Sequence, residues 1–131
     1  MTTPPVKPVS DKKRLMVITA HPDDAEFNAG GLMLEWASAQ HELLILCLTD
    51  GSAGHHELSI EDLAGIRQEE ARNAADLLAA KVVIWDVRDG ELEPTIDLRK
   101  QLIGDIREFR PDLILTHRTA DYHPDHRACA Q

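Results

Sequence analysis

The chain has 131 residues, of which 43% are hydrophobic and 28% charged, and its 14 basic and 23 acidic residues leave a net charge of −9. That length holds one domain at most, and the acidic balance argues against nucleic acid or an anionic membrane as partner. No apolar run approaches the ~20 residues of a membrane span, and two cysteines, Cys47 and Cys129, make no disulfide framework, so the composition suits a reducing, cytoplasmic compartment.

Residues 1–13 carry three prolines and no apolar period, and are expected to form a disordered or extended arm. Their start lacks the basic region and apolar stretch of a signal peptide. Leu15 to Ala20 is a short, nearly continuous apolar run, as expected for a strand buried on both faces. Residues 28–40, with Leu32, Met33, Leu34, Trp36 and Ala37, predict a helix. Leu43 to Leu48 is a second buried strand, with Cys47 as a small buried hydrophobe inside it. Residues 59–80 predict a longer helix, opened by Ser59 with Asp62 three residues on, in the manner of a capping box. Its apolar stripe is Leu63, Ile66, Ala74, Leu77 and Leu78. Val82 to Trp85 is a third strand. Residues 96–109 predict a third helix with Ile96, Leu102, Ile103 and Ile106 as the buried stripe, ended by Arg110-Pro111. Leu113-Ile114-Leu115 is the fourth strand. Strands alternating with helices of this length imply an α/β fold whose parallel sheet is covered on both faces.

Every segment with chemical potential follows the carboxyl end of a strand: His21-Pro22-Asp23-Asp24, Thr49-Asp50-Gly51, Asp89-Gly90, and Thr116-His117 through His126. Open parallel sheets bind ligands in the crevice outside those ends. Two four-residue words, His21-Pro22-Asp23-Asp24 and His123-Pro124-Asp125-His126, can therefore meet despite lying about a hundred residues apart. Each puts a His first and a second metal-capable side chain three residues later, around a Pro that presets a tight turn.

His21, Asp24 and His126 make a His-Asp-His set, and three protein ligands with one open position are the pattern of a catalytic zinc. Asp23, next to a ligand without being one, is the candidate general base. Asp125 is placed to orient a ligand histidine by hydrogen bond, and His123 to polarise a carbonyl or protonate a leaving amine. His117 directly follows a buried strand and stays open between core packing and a place at or behind the metal. His55 and His56 belong to a Gly-rich loop, and His41 lies at the opposite end of the sheet.

The two words, with Gly30-Gly31, Thr49-Asp50-Gly51, Arg67-x-x-Glu70-Ala71 and Arg110-Pro111-Asp112 between them in order, resemble the PIG-L/LmbE-like deacetylase family from about residue 14 to the last residue. Position 25 is Ala where many members carry Glu. The resemblance implies a Rossmann-like three-layer sandwich with a mostly parallel sheet. It also implies a zinc-dependent N-deacetylase acting on an N-acetylglucosaminyl-type or related amide, so the expected partner is a small-molecule N-acetylated sugar conjugate. Carried over position by position, His21, Asp24 and His126 are the metal ligands, with Zn²⁺ expected and Fe²⁺ or another divalent ion as substitute. Asp23 is the base, His123 and Asp125 are its helpers, and Arg67 and Asp89 contact the sugar. Relatives usually continue beyond the second word, so residues 14–131 are expected to be the N-terminal, metal-binding part of such a domain, C-terminally truncated. An uncovered fourth strand would then be an edge open to homo-oligomer formation.

Three other readings follow from the same residues. A metal-binding fragment without turnover keeps the site and lacks a working pocket. A non-haem Fe(II) oxygenase would use His21, Asp23 and His126 as two histidines and a carboxylate, against a strand-helix alternation that does not suit it. A nucleotide-binding module is disfavoured because no G-x-G-x-x-G follows the first strand.

Overall fold

A computed structural model describes residues 11–131, so all but the last three residues of the expected arm lie outside the described part. The chain runs β1 (Arg14–Thr19), α1 (Asp24–Ser38), β2 (Glu42–Cys47), α2 (Ile60–Leu77), β3 (Lys81–Ile84), α3 (Ile96–Phe109), β4 (Leu113–Leu115) and α4 (Pro124–Ala130). The order in the sheet is β3-β2-β1-β4 and every pair is parallel. No helix among the described residues is long and apolar enough to cross a membrane.

The period of two in a strand explains the layers. Met16, Ile18 and Ala20 of β1 and the residue after it join Leu44 and Leu46 under α3 and α4, where Leu98, Leu102, Ile106, Phe109 and Ala128 pack. Leu15 and Val17 join Leu43, Ile45 and Cys47 on the other face, under Ala25, Met33, Trp36 and Leu78. Connections β1-α1-β2 and β2-α2-β3 step one way along the sheet, and β3-α3-β4 steps back past β1. Right-handed crossovers that travel in opposite directions must put their helices on opposite faces. That topology makes three layers and leaves a switch point between β1 and β4.

The elements match the sequence expectation more closely than their faces do. α1 starts at Asp24 rather than residue 28, because carboxylates in a first turn favour the helix end. α4 has no counterpart in the expectation. It spans seven residues, too few for an apolar period, and Pro124 opens it with a preset φ. The second word is thus a helix start, not a loop turn. Ser59 caps α2 by accepting the Asp62 N–H at 3.1 Å, while Asp62 takes the Ser59 hydroxyl instead of completing a capping box.

In α3 the stripe facing the sheet is Leu98, Leu102, Ile106 and Phe109, all half-buried, leaving Ile96 66% and Ile103 41% exposed. In α2, Leu63, Ala71, Ala75 and Leu78 face inward, while Ile66 is half-exposed and Leu77 faces solvent. Apolar content alone does not choose among helical faces; the sheet does, and small alanines let a helix approach it. β3 and β4 are edge strands, so Val83, Leu113 and Ile114 are half-buried rather than enclosed.

Candidate metal centre

The loops after β1, β2 and β3 and the segment after β4 converge at the carboxyl edge of the sheet, beside the β1/β4 switch point where such folds hold ligands. Pro22 sits between His21 and Asp23, and the backbone there is strained. Asp23 has φ 94° and ψ −26° in the left-handed region, which costs an L-residue roughly 1–2 kcal/mol. Strain of this kind gathers at functional sites. It lets Asp24 enter α1 and fold its carboxylate back onto the His21 N–H at 2.9 Å.

Asp24 Oδ2 is the focal atom. It stands 3.3 Å from each of three imidazole nitrogens: His21 Nδ1, His117 Nε2 and His126 Nε2. His21 offers its far nitrogen to two carboxylates, Asp125 Oδ2 at 2.8 Å and Asp89 Oδ1 at 3.0 Å. His126 Nδ1 meets Asp121 Oδ1 at 3.2 Å. A carboxylate on one ring nitrogen turns the other toward the centre. His21, Asp24 and His126 each bring one donor atom to within 4.8 Å of the others. Two imidazoles and a carboxylate, both imidazoles backed by carboxylates, fit a borderline divalent cation such as zinc.

Asp125, 1% exposed, ties three segments together. Besides His21 it accepts the Gly90 N–H at 2.7 Å and the Leu92 N–H at 3.2 Å. Asp50 similarly accepts the N–H groups of Ser52 and Asp89, joining the loops after β2 and β3.

A cleft of about 310 Å³ opens beside this group, lined by His21, Pro22, Asp23, Gly51, Ala53, Gly54, Arg67, Asp89 and His123. Of the residues expected to do chemistry or touch substrate, Asp23, His123, Arg67 and Asp89 line it, while Asp125 is buried against His21. Arg67 reaches across from α2 with Nη1 3.6 Å from Asp23 Oδ2. His123 caps α4 through Nδ1, which accepts the Asp125 N–H at 3.1 Å. A neutral His123 therefore carries its proton on Nε2.

The electrostatics divide the groups. Burial resists charge on His21, but Asp24, Asp89 and Asp125 outweigh it and raise the imidazole to about 10. Burial also opposes the charge of Asp24, yet hydrogen bonds from the His21 ring and backbone N–H hold it well below the usual carboxylate range. Asp23 is displaced upward by burial and by Asp24, against the pull of Arg67. Burial holds His126 below its ordinary value. Asp121 is lowered, chiefly by accepting the His123 N–H. Burial pushes the thiols of Cys47 and Cys129 up to about 12 and about 11, so neither is a nucleophile at neutral pH.

Two expected outcomes follow. In metal-free protein the raised His21 contributes stability in full below pH 6.5, and loses it as pH rises through about 10. Asp24, shifted the other way, contributes above 3.8 and loses its share as pH falls below that. Chelator-treated protein should therefore unfold more easily in urea at pH 10 than at pH 6. Zinc uptake at neutral pH should release about one proton, read by calorimetry in buffers of different ionisation enthalpy. Gly51 supplies the second outcome. It has φ +66°, and a Cβ there would stand 2.9 Å from Pro22 Cδ. Gly51→Ala should cost at least ~1–2 kcal/mol in urea denaturation and weaken metal binding by displacing the Pro22 turn.

Asp121 was not among the expected site residues, although it stands just upstream of the second word. Its signals in the sequence are a carboxylate within one loop of a ligand histidine and its place in the stretch Asp121 to Ala128 that carries the family resemblance. His117 is brought to the centre, 3.3 Å from Asp24. His55 and His56 stack on each other, 5.4 Å apart, outside the cleft lining. His41 accepts the Lys13 N–H at the opposite end of β1.

Residues 16–131 match the protein family described as PIG-L: GlcNAc-PI de-N-acetylase. The diacetylchitobiose deacetylase of Thermococcus kodakarensis is 35% identical over 127 residues, covering 92% of this chain and 48% of that protein. The 4-oxalmesaconate hydratase of Pseudomonas putida is 28% identical over 123 residues, covering 88% and 48%. The solved N,N′-diacetylchitobiose deacetylase from Pyrococcus horikoshii superposes with a TM-score of 0.84 at 32% identity, over 92% of this chain and 47% of that one. The chain thus spans about half the length of these relatives.

Proposed function

This chain belongs to the PIG-L family, and from that premise we propose that it is a metal-dependent N-deacetylase domain acting on a small N-acetylated sugar conjugate. The observation that carries the reading is the convergence of His21, Asp24 and His126 on one point, beside a cleft lined by the strained Asp23. His21, Asp24 and His126 would hold the ion. A divalent cation bound there supplies Lewis acidity, making a water more acidic and an acyl carbonyl more electrophilic.

The protein's own groups do the rest. Asp23, its pKa displaced toward working pH, accepts a proton from the attacking water. The water oxygen adds to the acetyl carbon. His123 presents its Nε2 proton to the developing oxyanion or to the leaving nitrogen. Cleavage of the C–N bond yields acetate and a free amine. Asp125 and Asp121 orient the two ligand imidazoles. Arg67 and Asp89, which line the same cleft, would bind sugar hydroxyls.

The test is acetate release from N-acetylglucosamine and N,N′-diacetylchitobiose by zinc-loaded protein, with metal content measured on the same sample. One ion per chain with no acetate would favour the second reading, a metal-binding fragment without turnover. That reading draws support from the half-length match to the relatives. Hydration of an unsaturated acid without acetate release would instead place the chain beside its hydratase relative.

A further inference from the structure

His117 follows β4 and belongs neither to the ligand set nor to the proposed chemistry, yet it touches both ligand-bearing segments. Its Nε2 accepts the Ala20 N–H at 3.0 Å, on the residue before His21. Its ring stacks on that of His126, with centroids 4.0 Å apart and planes 11° from parallel. The side chain is 10% exposed. A single imidazole therefore joins the end of β1 to His126 on α4.

The Ala20 bond also excludes a role as a ligand through the near nitrogen. With its lone pair taken by an N–H, Nε2 cannot donate to Asp24 Oδ2, 3.3 Å away, nor hold an ion. In the neutral ring the proton is on Nδ1, facing away from Ala20.

The two ligand-bearing segments arrive independently, from elements at opposite ends of the chain. Chain connectivity cannot set their separation to the roughly 0.5 Å that a functional site needs. Asp125 holds His21 from its far side. His117 bonds the backbone next to His21 and supports the face of the His126 ring.

Resting on the metal-site reading, we propose that His117 is a positioning residue, which sets the spacing of the two motifs by bonding the first and stacking on the second. A residue of this kind acts on the ion through the ligands, and loss of such support costs roughly 10- to 100-fold in metal affinity.

The experiment titrates the metal-free full chain with Zn²⁺ and Co²⁺ in four forms: unmodified, His117→Phe, His117→Asn and Leu115→Ala. His117→Phe keeps a ring to stack and loses the acceptor; His117→Asn keeps an acceptor and loses the ring. Leu115→Ala weakens the packing of β4 against the core and lies outside both motifs. The unmodified chain should bind one ion. Both His117 variants should bind zinc roughly 10- to 100-fold more weakly and change the visible Co²⁺ bands. Leu115→Ala should lower the urea midpoint and leave zinc affinity and the Co²⁺ spectrum unchanged.

Unmodified affinity and spectrum in both His117 variants would overturn the proposal. So would equal weakening in Leu115→Ala, or loss of the fold in the His117 variants alone, since either assigns His117 to the fold. No ion bound by the unmodified chain would overturn the metal-site reading and this proposal with it.

Discussion

Asp23→Asn is expected to lower acetate release by roughly 10²- to 10⁴-fold, the range a positioned general base supplies, while metal content stays at the unmodified level. Asn is the informative substitution because it tolerates the left-handed backbone that Asp23 occupies, so the turn between His21 and Asp24 is kept. The lost groups are the proton acceptor and the charge facing Arg67. Asp23 is absent from the group of donor atoms that converge with His21 and His126, so the ion should be retained. Asp23→Ala should lose at least as much activity, with added strain at φ 94°. Equal acetate release by the substituted and unmodified proteins would reject Asp23 as the base.

Asp24→Ala should have the larger effect on the ion itself. Its Oδ2 faces three imidazole nitrogens at 3.3 Å, and removal leaves two neutral donors where an anion stood. Zinc affinity should fall by more than the roughly 10- to 100-fold that a supporting residue costs, and acetate release should fall to the level of chelated protein. The metal-free variant should also unfold more easily. The removed carboxylate is buried and holds the His21 N–H as well as its ring, and breaking such a buried pair costs about 3–5 kcal/mol. Emission analysis after dialysis against trace zinc reads the first effect and urea denaturation the second. Full zinc occupancy in Asp24→Ala would move the ion to the neighbouring group of His21, Asp89, His123 and Asp125.

The strands were readable because burial on two faces leaves a local mark. Leu15 to Ala20 and Leu43 to Leu48 are continuous apolar runs, and the strands lie within one residue of them. The helix faces were less readable. Ile96 and Leu77 are as apolar as Leu98 and Leu78, and only the direction of the sheet separates the exposed from the buried member. α4 was hidden because a seven-residue helix carries no full apolar period, and its Pro and paired His read as a turn. At the site, residue types in two short words sufficed to nominate ligands, base and helpers. They could not assign Asp121 to His126, or join Asp89 and Asp125 on one nitrogen of His21.

By itself the sequence determined the alternation of strands and helices, the placement of every reactive segment after a strand, and the ligand vocabulary of the two words. These are local properties, written in consecutive residues. Only the tertiary structure decided which oxygen sits among three imidazoles, which ring nitrogen is occupied by a carboxylate, and that His117 spans the two words. Each of those depends on distances between segments far apart in the chain. Such distances come from the parallel register of β1 with β4 and the reversal of the crossover between them, which no run of neighbouring residues encodes.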